Sequence, residues 1–486
     1  MAAIAALLGF PAASPRTCRV LELGAGDGAH LIPLALEQPG ASFVGIDLAG
    51  SAIARGQALV QELGLKNIRL EQGDLSTFDA AEPFDYVIAH GVYSWVPPEV
   101  QTLLLSGCRS LLAPQGLAYI SYATYPGCHQ REMVRNMMLF HTARLAGGSN
   151  VVSEGHAFAQ LVRDHQTAGE AYGSAIQQEL TRMQQHGVGY AFHDDFAEHN
   201  SPVYFGEMAE RVREQGLEFF AESLFSFFDD ARLSADVLAM VEKLGEGDLI
   251  TREQYLDFLR GRAFRQSLFC HVGARPTAPW QLEALTSLSA ASPLLSTTPE
   301  LAPRVVAPET FVSPAGVQLT AESRVVRHAL RELGQIWPRS LPVAELLGRA
   351  LAAHGSAEPT SGSERQLLLR TLLRAAAVKL VELDVAPPAV AENLSESPLG
   401  SPLARLEARQ GLTVTDLWHR RLKLDDEAGR FLLTLLDGSR TRAELLELMV
   451  DFFAQQASPT PPGRPQVEAE LAKVLLGMQR RALLLR

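Results

Sequence analysis

Along the first 145 residues, short apolar runs bounded by glycine, proline or acidic residues alternate with segments whose apolar positions recur at helical spacing. "RVLEL" (19–23) reads as a first strand and 29–36 as its helix. "SFVGID" (42–47) reads as the second strand, followed by the helix "SAIARGQALVQELG" (51–64). "NIRLEQGD" (67–74), "FDYVIAHG" (84–91) and "GLAYISYA" (116–123) supply three more strands, with a helix over 100–116 stopped by Pro114 and Gly116. Strands this apolar suit a parallel, doubly wound sheet covered on both faces.

From about residue 131 to 200 the pattern changes to polar helices with no strand signal. Segment 207–225 then reads as helix into strand, and 264–272 as a further strand. The expected organisation is one α/β domain over 1–145 and 203–280, interrupted after its fifth strand by a helical lid insertion over 146–202. The Ser/Pro-rich stretch 281–305 reads as a linker. Residues 306–486 alternate helices with short strands, the pattern of one or two small winged-helix-like α+β modules. No period of 20–50 residues marks a repeat array.

Length and composition fit this plan. A chain of 486 residues exceeds one ordinary core, and 47% hydrophobic with 20% charged residues describes a soluble globular protein. A net charge of −12 weighs against a nucleic-acid partner. Cys18, Cys108, Cys128 and Cys270 form no C-x-x-C pair, so neither a zinc site nor a disulfide framework is expected. The opening "MAAIAALLGF" lacks the basic start of a signal peptide and is too short to span a bilayer, which leads to a cytoplasmic expectation without membrane insertion.

The candidate chemistry centres on "VLELGAGDGAH" (20–30). Gly24, Gly26 and Ala29 satisfy the dinucleotide fingerprint, whereas Gly24, Gly26 and Gly28 satisfy G-x-G-x-G, the S-adenosylmethionine (SAM) version. Asp47, ending the second strand, suits ribose hydroxyls of either ligand. Glu22 before the turn and Asp27 within it are ill placed beside a pyrophosphate, but suit a sulfonium with an α-ammonium group. Asp74, ending the third strand, is placed to accept from an adenine amino group. The acids therefore favour SAM over a nicotinamide dinucleotide.

Together "VLELGAGDG", "GIDLAGSAIARG", "GDLSTF" and "FDYVIAHGVYSWVP" resemble class I SAM-dependent methyltransferases. "HGVYSWVP" (90–97), "SYATYPG" (121–127), "NSPVYFGEMA" (200–209) and "FLRGRAFRQSLFC" (258–270) resemble bacterial enzymes with a methyltransferase regulatory domain, including the rickettsial outer-membrane-protein lysine methyltransferases. Segment 412–446 resembles the C-terminal domain of the same group. The resemblance implies a Rossmann-like class I methyltransferase fold with a helical lid insertion and a C-terminal winged-helix-like α+β region. It implies SAM as cofactor, held by Glu22, Gly24, Ala25, Gly26, Gly28, Asp47, Leu48, Asp74, Leu75 and His90. It also implies a protein or peptide amine as acceptor, most naturally lysine, and is compatible with a homodimer. A small-metabolite acceptor and a non-catalytic SAM-binding regulator are the competing readings. Ala123 and Cys128 depart from the Asn and Trp of the family's "SYNTYPGW", and the family usually carries a further segment ahead of "AAIAALLGF" that covers the cofactor.

Tyr93 and Trp95 after the fourth strand, with Tyr122 and Tyr125 at the end of the fifth, are expected where the transferable methyl points, because aromatic faces hold cationic amines. The amino-methylase signature D/N-P-P-Y is absent; "VPPE" (96–99) has only its prolines. Asp195, Glu198 and His199 in "HDDFAEH" share helical spacing but have no matching second cluster, so no metal is expected. Cys128 and His129 are adjacent and poorly disposed to act as a nucleophile pair.

Overall fold

The computed structural model describes residues 1–145, 150–167, 169–186, 195–228, 233–298, 307–354, 358–456 and 462–486. Helix α1 (Ala2–Leu7) precedes β1 (Arg19–Leu23), α2 (Leu31–Glu37), β2 (Ser42–Asp47), α3 (Gly50–Glu62), β3 (Ile68–Gln72), β4 (Phe84–Ala89), α4 (Pro98–Leu111) and β5 (Leu112–Ala123). Then come α5 (Cys128–Thr142), α6 (Val151–Asp164), α7 (Ala171–His186), α8 (Phe205–Glu214), β6 (Leu217–Glu222), α9 (Ala235–Gly245), α10 (Leu249–Arg260) and β7 (Phe264–His271). The seven strands form one sheet in the order β3-β2-β1-β4-β5-β7-β6, parallel except that β7 runs antiparallel to both neighbours. The order reverses at β1, so the ends of β1 and β4 open the crevice in which such sheets bind ligands.

The helix expected over 100–116 ends at Leu111, and β5 starts at the next residue, so Pro114 and Gly116 lie inside the strand. The β4–β5 register shifts between Phe84 and Tyr86, a ladder irregularity of the kind that accommodates proline.

Alternation along the strands sends two sets of side chains to two cores. Leu21, Leu23, Val87, Ile120, Phe219 and Phe269 pack with Leu104 and Cys108 of α4 and with Phe205, Met208 and Val212 of α8. Val20, Tyr86, Ile88, Leu117, Phe220 and Leu268 pack on the other face with Ile4, Leu31, Ile32 and Ile53. Helices α5–α7 bury Val134, Met138, Ala159, Ile176 and Met183 in a small core of their own.

The stretch expected as a linker over 281–305 is partly built into a further core. Leu285, Leu288, Ala290 and Leu294 are buried with α11 (Arg324–Ile336), α12 (Val343–His354) and α13 (Glu358–Ala377). Strand Ser289–Ala291 is central in a three-stranded sheet, between Leu341–Pro342 and Glu382–Asp384. The Ser and Pro content concealed an apolar alternation; residues 299–306 lie outside the described residues.

In the last module, the hairpin Thr413–Thr415 with Arg421–Lys423 is a wing whose tip reaches back. Trp418 stacks on Trp337 with ring centroids 6.0 Å apart, and its Nε1 donates to the Pro338 carbonyl at 3.0 Å. The next residue, His419, meets Glu37 of α2 at 2.9 Å. No helix among the described residues is long and apolar enough to cross a membrane.

Candidate active site

The turn after β1 owes its shape to three glycines. Gly24, Gly26 and Gly28 have φ of +77°, +55° and +75°, a region costly for residues with a Cβ. A Cβ on Gly24 would lie 2.5 Å from Val92, and one on Gly28 would lie 2.8 Å from Leu70. A Cβ on Gly26 would meet nothing within 4 Å, so this backbone borders open space. Asp47 secures the turn from β2: its Oδ2 accepts from the Gly26 amide at 2.8 Å and its Oδ1 from the Ala49 amide at 2.7 Å. Beside it the Leu48 side chain is 69% exposed, an apolar group at a polar rim.

Glu22 is buried, and one carboxylate oxygen, Oε2, has no hydrogen-bond partner among the described residues. Oε1 meets His30 Nδ1 at 3.1 Å. Burial works against a charged His30, but the bond to Glu22 and its negative charge outweigh that and raise the imidazole pKa. At the end of β4, His90 Nδ1 meets Ser121 Oγ at 3.0 Å and Tyr119 Oη at 3.1 Å. Burial, and then the nearby His30, lower its pKa, against a smaller opposing effect of Glu22. His90 is thus held neutral beside a carboxylate.

Asp74 is exposed; its Oδ1 accepts from the amide and hydroxyl of Ser76, which lower its pKa. Leu75 packs partly against the sheet core, and Ala25 is half-buried in the turn. A buried carboxylate oxygen in need of a donor, a side-chain-free backbone rim and an exposed apolar residue next to Asp47 fit the ammonium, main body and adenosine of SAM. A pyrophosphate would face Glu22 instead of donors.

The four aromatics do not converge. Tyr93 and Tyr122 have no exposed surface; their rings meet edge to face at 6.1 Å inside the core. Arg211 donates to the Tyr93 hydroxyl, and the Tyr122 hydroxyl meets Ser267 Oγ at 3.1 Å. Their expected place at the methyl end is therefore corrected: β5 alternation and the turn after β4 send both inward, where they brace the site from beneath. Trp95 and Tyr125 stay nearer the surface. Phe264 lies between His90 and Trp95, 6.5 Å from each ring, and continues the cofactor end towards Trp95. Tyr125 stacks on His129 at 4.1 Å, contacts Tyr204 at 5.1 Å and donates to Glu132 Oε1 at 2.9 Å.

Behind Trp95 lies a cavity of about 20 Å³ bordered by Ala123, Cys128, Glu132, Arg135 and Asp195. The two small residues that depart from the family motif thus line one space. Burial pushes the Cys128 thiol up to about 11, and its Sγ donates to the Ala263 carbonyl, so it is no nucleophile. Asp195 pairs with Arg182 at 2.8 Å, and no cluster of three metal-ligating side chains occurs among the described residues. His193 and Asp194 of the same motif lie outside the described residues.

Sequence reasoning missed His30, Tyr119, Ser121 and Phe264. His30 stands in the glycine motif itself, and the alternation Tyr119–Ser121 marks one strand face, so both signals were present.

A parallel sheet with one antiparallel strand in this order, bearing a glycine turn flanked by acids, defines a class I methyltransferase. Residues 15–187 match the family described as "Methyltransferase domain", 188–271 the "Predicted methyltransferase regulatory domain", and 396–483 the "PKMT, C-terminal winged helix domain". Two Rickettsia prowazekii proteins are similar: RP789, 32% identical over 56% of this chain and 49% of its own length, and RP028, 30% identical over 44% of this chain and 86% of its own. The chain thus spans about half the length of RP789. The structure of PKMT2 from Rickettsia typhi in complex with AdoHcy superposes with a TM-score of 0.86 at 20% identity, covering 99% of this chain and 96% of that one. The chain belongs to the SAM-dependent methyltransferases that join a class I domain to a methyltransferase regulatory domain and a PKMT-type winged helix.

Proposed function

We propose that this protein moves a methyl group from SAM to an amine of a protein or peptide, with lysine as acceptor. The carrying observation is the join between the two halves of the site: His90, Phe264 and Trp95 run in ring contact from the Glu22 carboxylate to the small cavity beside Glu132. Trp95 and Phe264 offer aromatic faces to the amine as it arrives cationic, each worth about 0.5–2 kcal/mol; the amine then sheds a proton to solvent, and its freed lone pair takes the methyl as the bond to sulfur breaks. Glu132 adds negative charge beside them. The resemblance to the rickettsial lysine methyltransferases and the likeness to PKMT2 support the same reading.

In this reading Glu22 receives the α-ammonium of SAM, Gly26 lets its body approach, and Asp47, Leu48 and Asp74 hold the adenosine. Bound SAM supplies an electrophilic methyl on sulfonium. The chain's contribution is to align the amine and exclude water. The neutral His90 keeps a second positive charge away from the sulfonium. Incubation with labelled SAM and a cell lysate tests the reading: label on lysine of polypeptides supports it, and label confined to small molecules overturns it.

A further inference from the structure

A cavity of about 660 Å³ lies between α8 and α10 and takes no part in the site above. We propose that it is a docking groove for the polypeptide on one side of the acceptor amine; this rests on the reading that the acceptor is a polypeptide.

Both walls begin at the acceptor end. The Val203 amide donates to the Ala123 carbonyl just before α8 starts, and the Gly127 amide donates to the Arg262 carbonyl just after α10 ends. Phe258 joins the two regions: its ring contacts Tyr204, which contacts Tyr125, and it also lines the groove. Phe258 is 50% exposed, a large apolar ring at the surface of α10. On the facing helix, Gly206 and Ala209 keep the floor low.

The polar groups suit a peptide. Gln254 Oε1 accepts from the Gly206 amide at 3.0 Å, and its buried Nε2 donor has no partner among the described residues. A main-chain carbonyl meets that need. At the far end, Asp248 is bonded to Thr251 and Glu218 to the Gly273 amide, whereas Arg213, one turn beyond Glu210 on α8, makes no ion pair among the described residues. An acidic side chain complements it. Arg213 lies eight residues along α8 from Phe205, about 12 Å, or roughly four residues of extended peptide. The preferred substrate thus carries an acidic residue several positions from its lysine.

The test uses the full chain with a library of lysine-centred peptides, and N-acetyl-lysine amide as minimal acceptor. Ala209→Trp, which fills the groove, and Phe258→Ala, at the surface, are each expected to raise KM for peptides about tenfold. SAM affinity and the rate on the minimal acceptor should stay within twofold. Arg213→Glu should shift the preference from acidic to basic residues on one flank. Unchanged peptide KM in both groove variants, with the flank preference intact, overturns the groove while leaving the acceptor reading standing. A wild-type enzyme that methylates no polypeptide overturns the acceptor reading itself.

Discussion

The guanidinium of Arg265 is wholly buried and donates to Glu222 Oε1 at 2.6 Å. It also pairs with Asp257 and Glu253 and lies 3.7 Å from the centre of the Phe205 ring. Glu222 in turn accepts from Ser267 Oγ, which meets the Tyr122 hydroxyl, so a charged cluster clamps β6, β7 and α10 beneath the end of β5.

Removing one partner from a buried ion network strands the others. Arg265→Met is expected to destabilise the fold by about 3–5 kcal/mol. Urea denaturation followed by circular dichroism measures the loss; a change under about 1 kcal/mol contradicts the clamp.

Glu22→Gln keeps the size of the side chain and removes its charge. A hydrogen bond to a charged group contributes about 1.5–3 kcal/mol, so SAM binding should weaken by about ten- to a hundredfold. Isothermal titration decides, and equal affinities rule out the ammonium contact.

Two glycines of one turn should respond differently. Gly26→Val puts a side chain into open space and is expected to abolish SAM binding at a stability cost of about 1–2 kcal/mol from its left-handed backbone. Gly28→Val meets Leu70 and Ile32 in the core and should unfold the turn as well. Thermal melts with and without SAM separate the outcomes.

His30 makes stability pH-dependent. Its pKa is raised above the usual 6.5 when folded: the bond to and charge of Glu22 overcome the opposing effect of burial. Such a group contributes stability that is full below 6.5 and lost as pH rises through the folded value. The wild type should therefore exceed His30→Ala most at about pH 6 and converge with it by about pH 9. A gap that does not narrow with pH would refute the linkage.

All four cysteines are buried, and burial raises their thiols to about 11 for Cys18 and Cys128 and about 12 for Cys108 and Cys270. Ellman's reagent at pH 8 should therefore titrate no thiol in the native protein and four after denaturation.

The strands β1, β2 and β4 were legible because each is a short apolar run closed by glycine or an acid, and the glycine turn with Glu22 and Asp47 followed from the same stretches. The inward turn of Tyr93 and Tyr122 was not, since an aromatic at a strand end reads alike whether it faces solvent or core. Nor was Ser289–Ala291, a three-residue strand whose pairing depends on partners some 50 and 90 residues away in the chain. Such short strands carry too few residues for alternation to show, and long-range packing decides them.

The stacked indoles of Trp337 and Trp418 give this protein an internal optical gauge. They belong to different modules, and only two other tryptophans, Trp95 and Trp280, contribute to the fluorescence. Withdrawal of the wing tip would uncouple the pair and pull His419 from Glu37 at the back of the cofactor domain. Whether the C-terminal module rides rigidly on the catalytic body during turnover is thus a question that emission from the native chain can answer without an added dye.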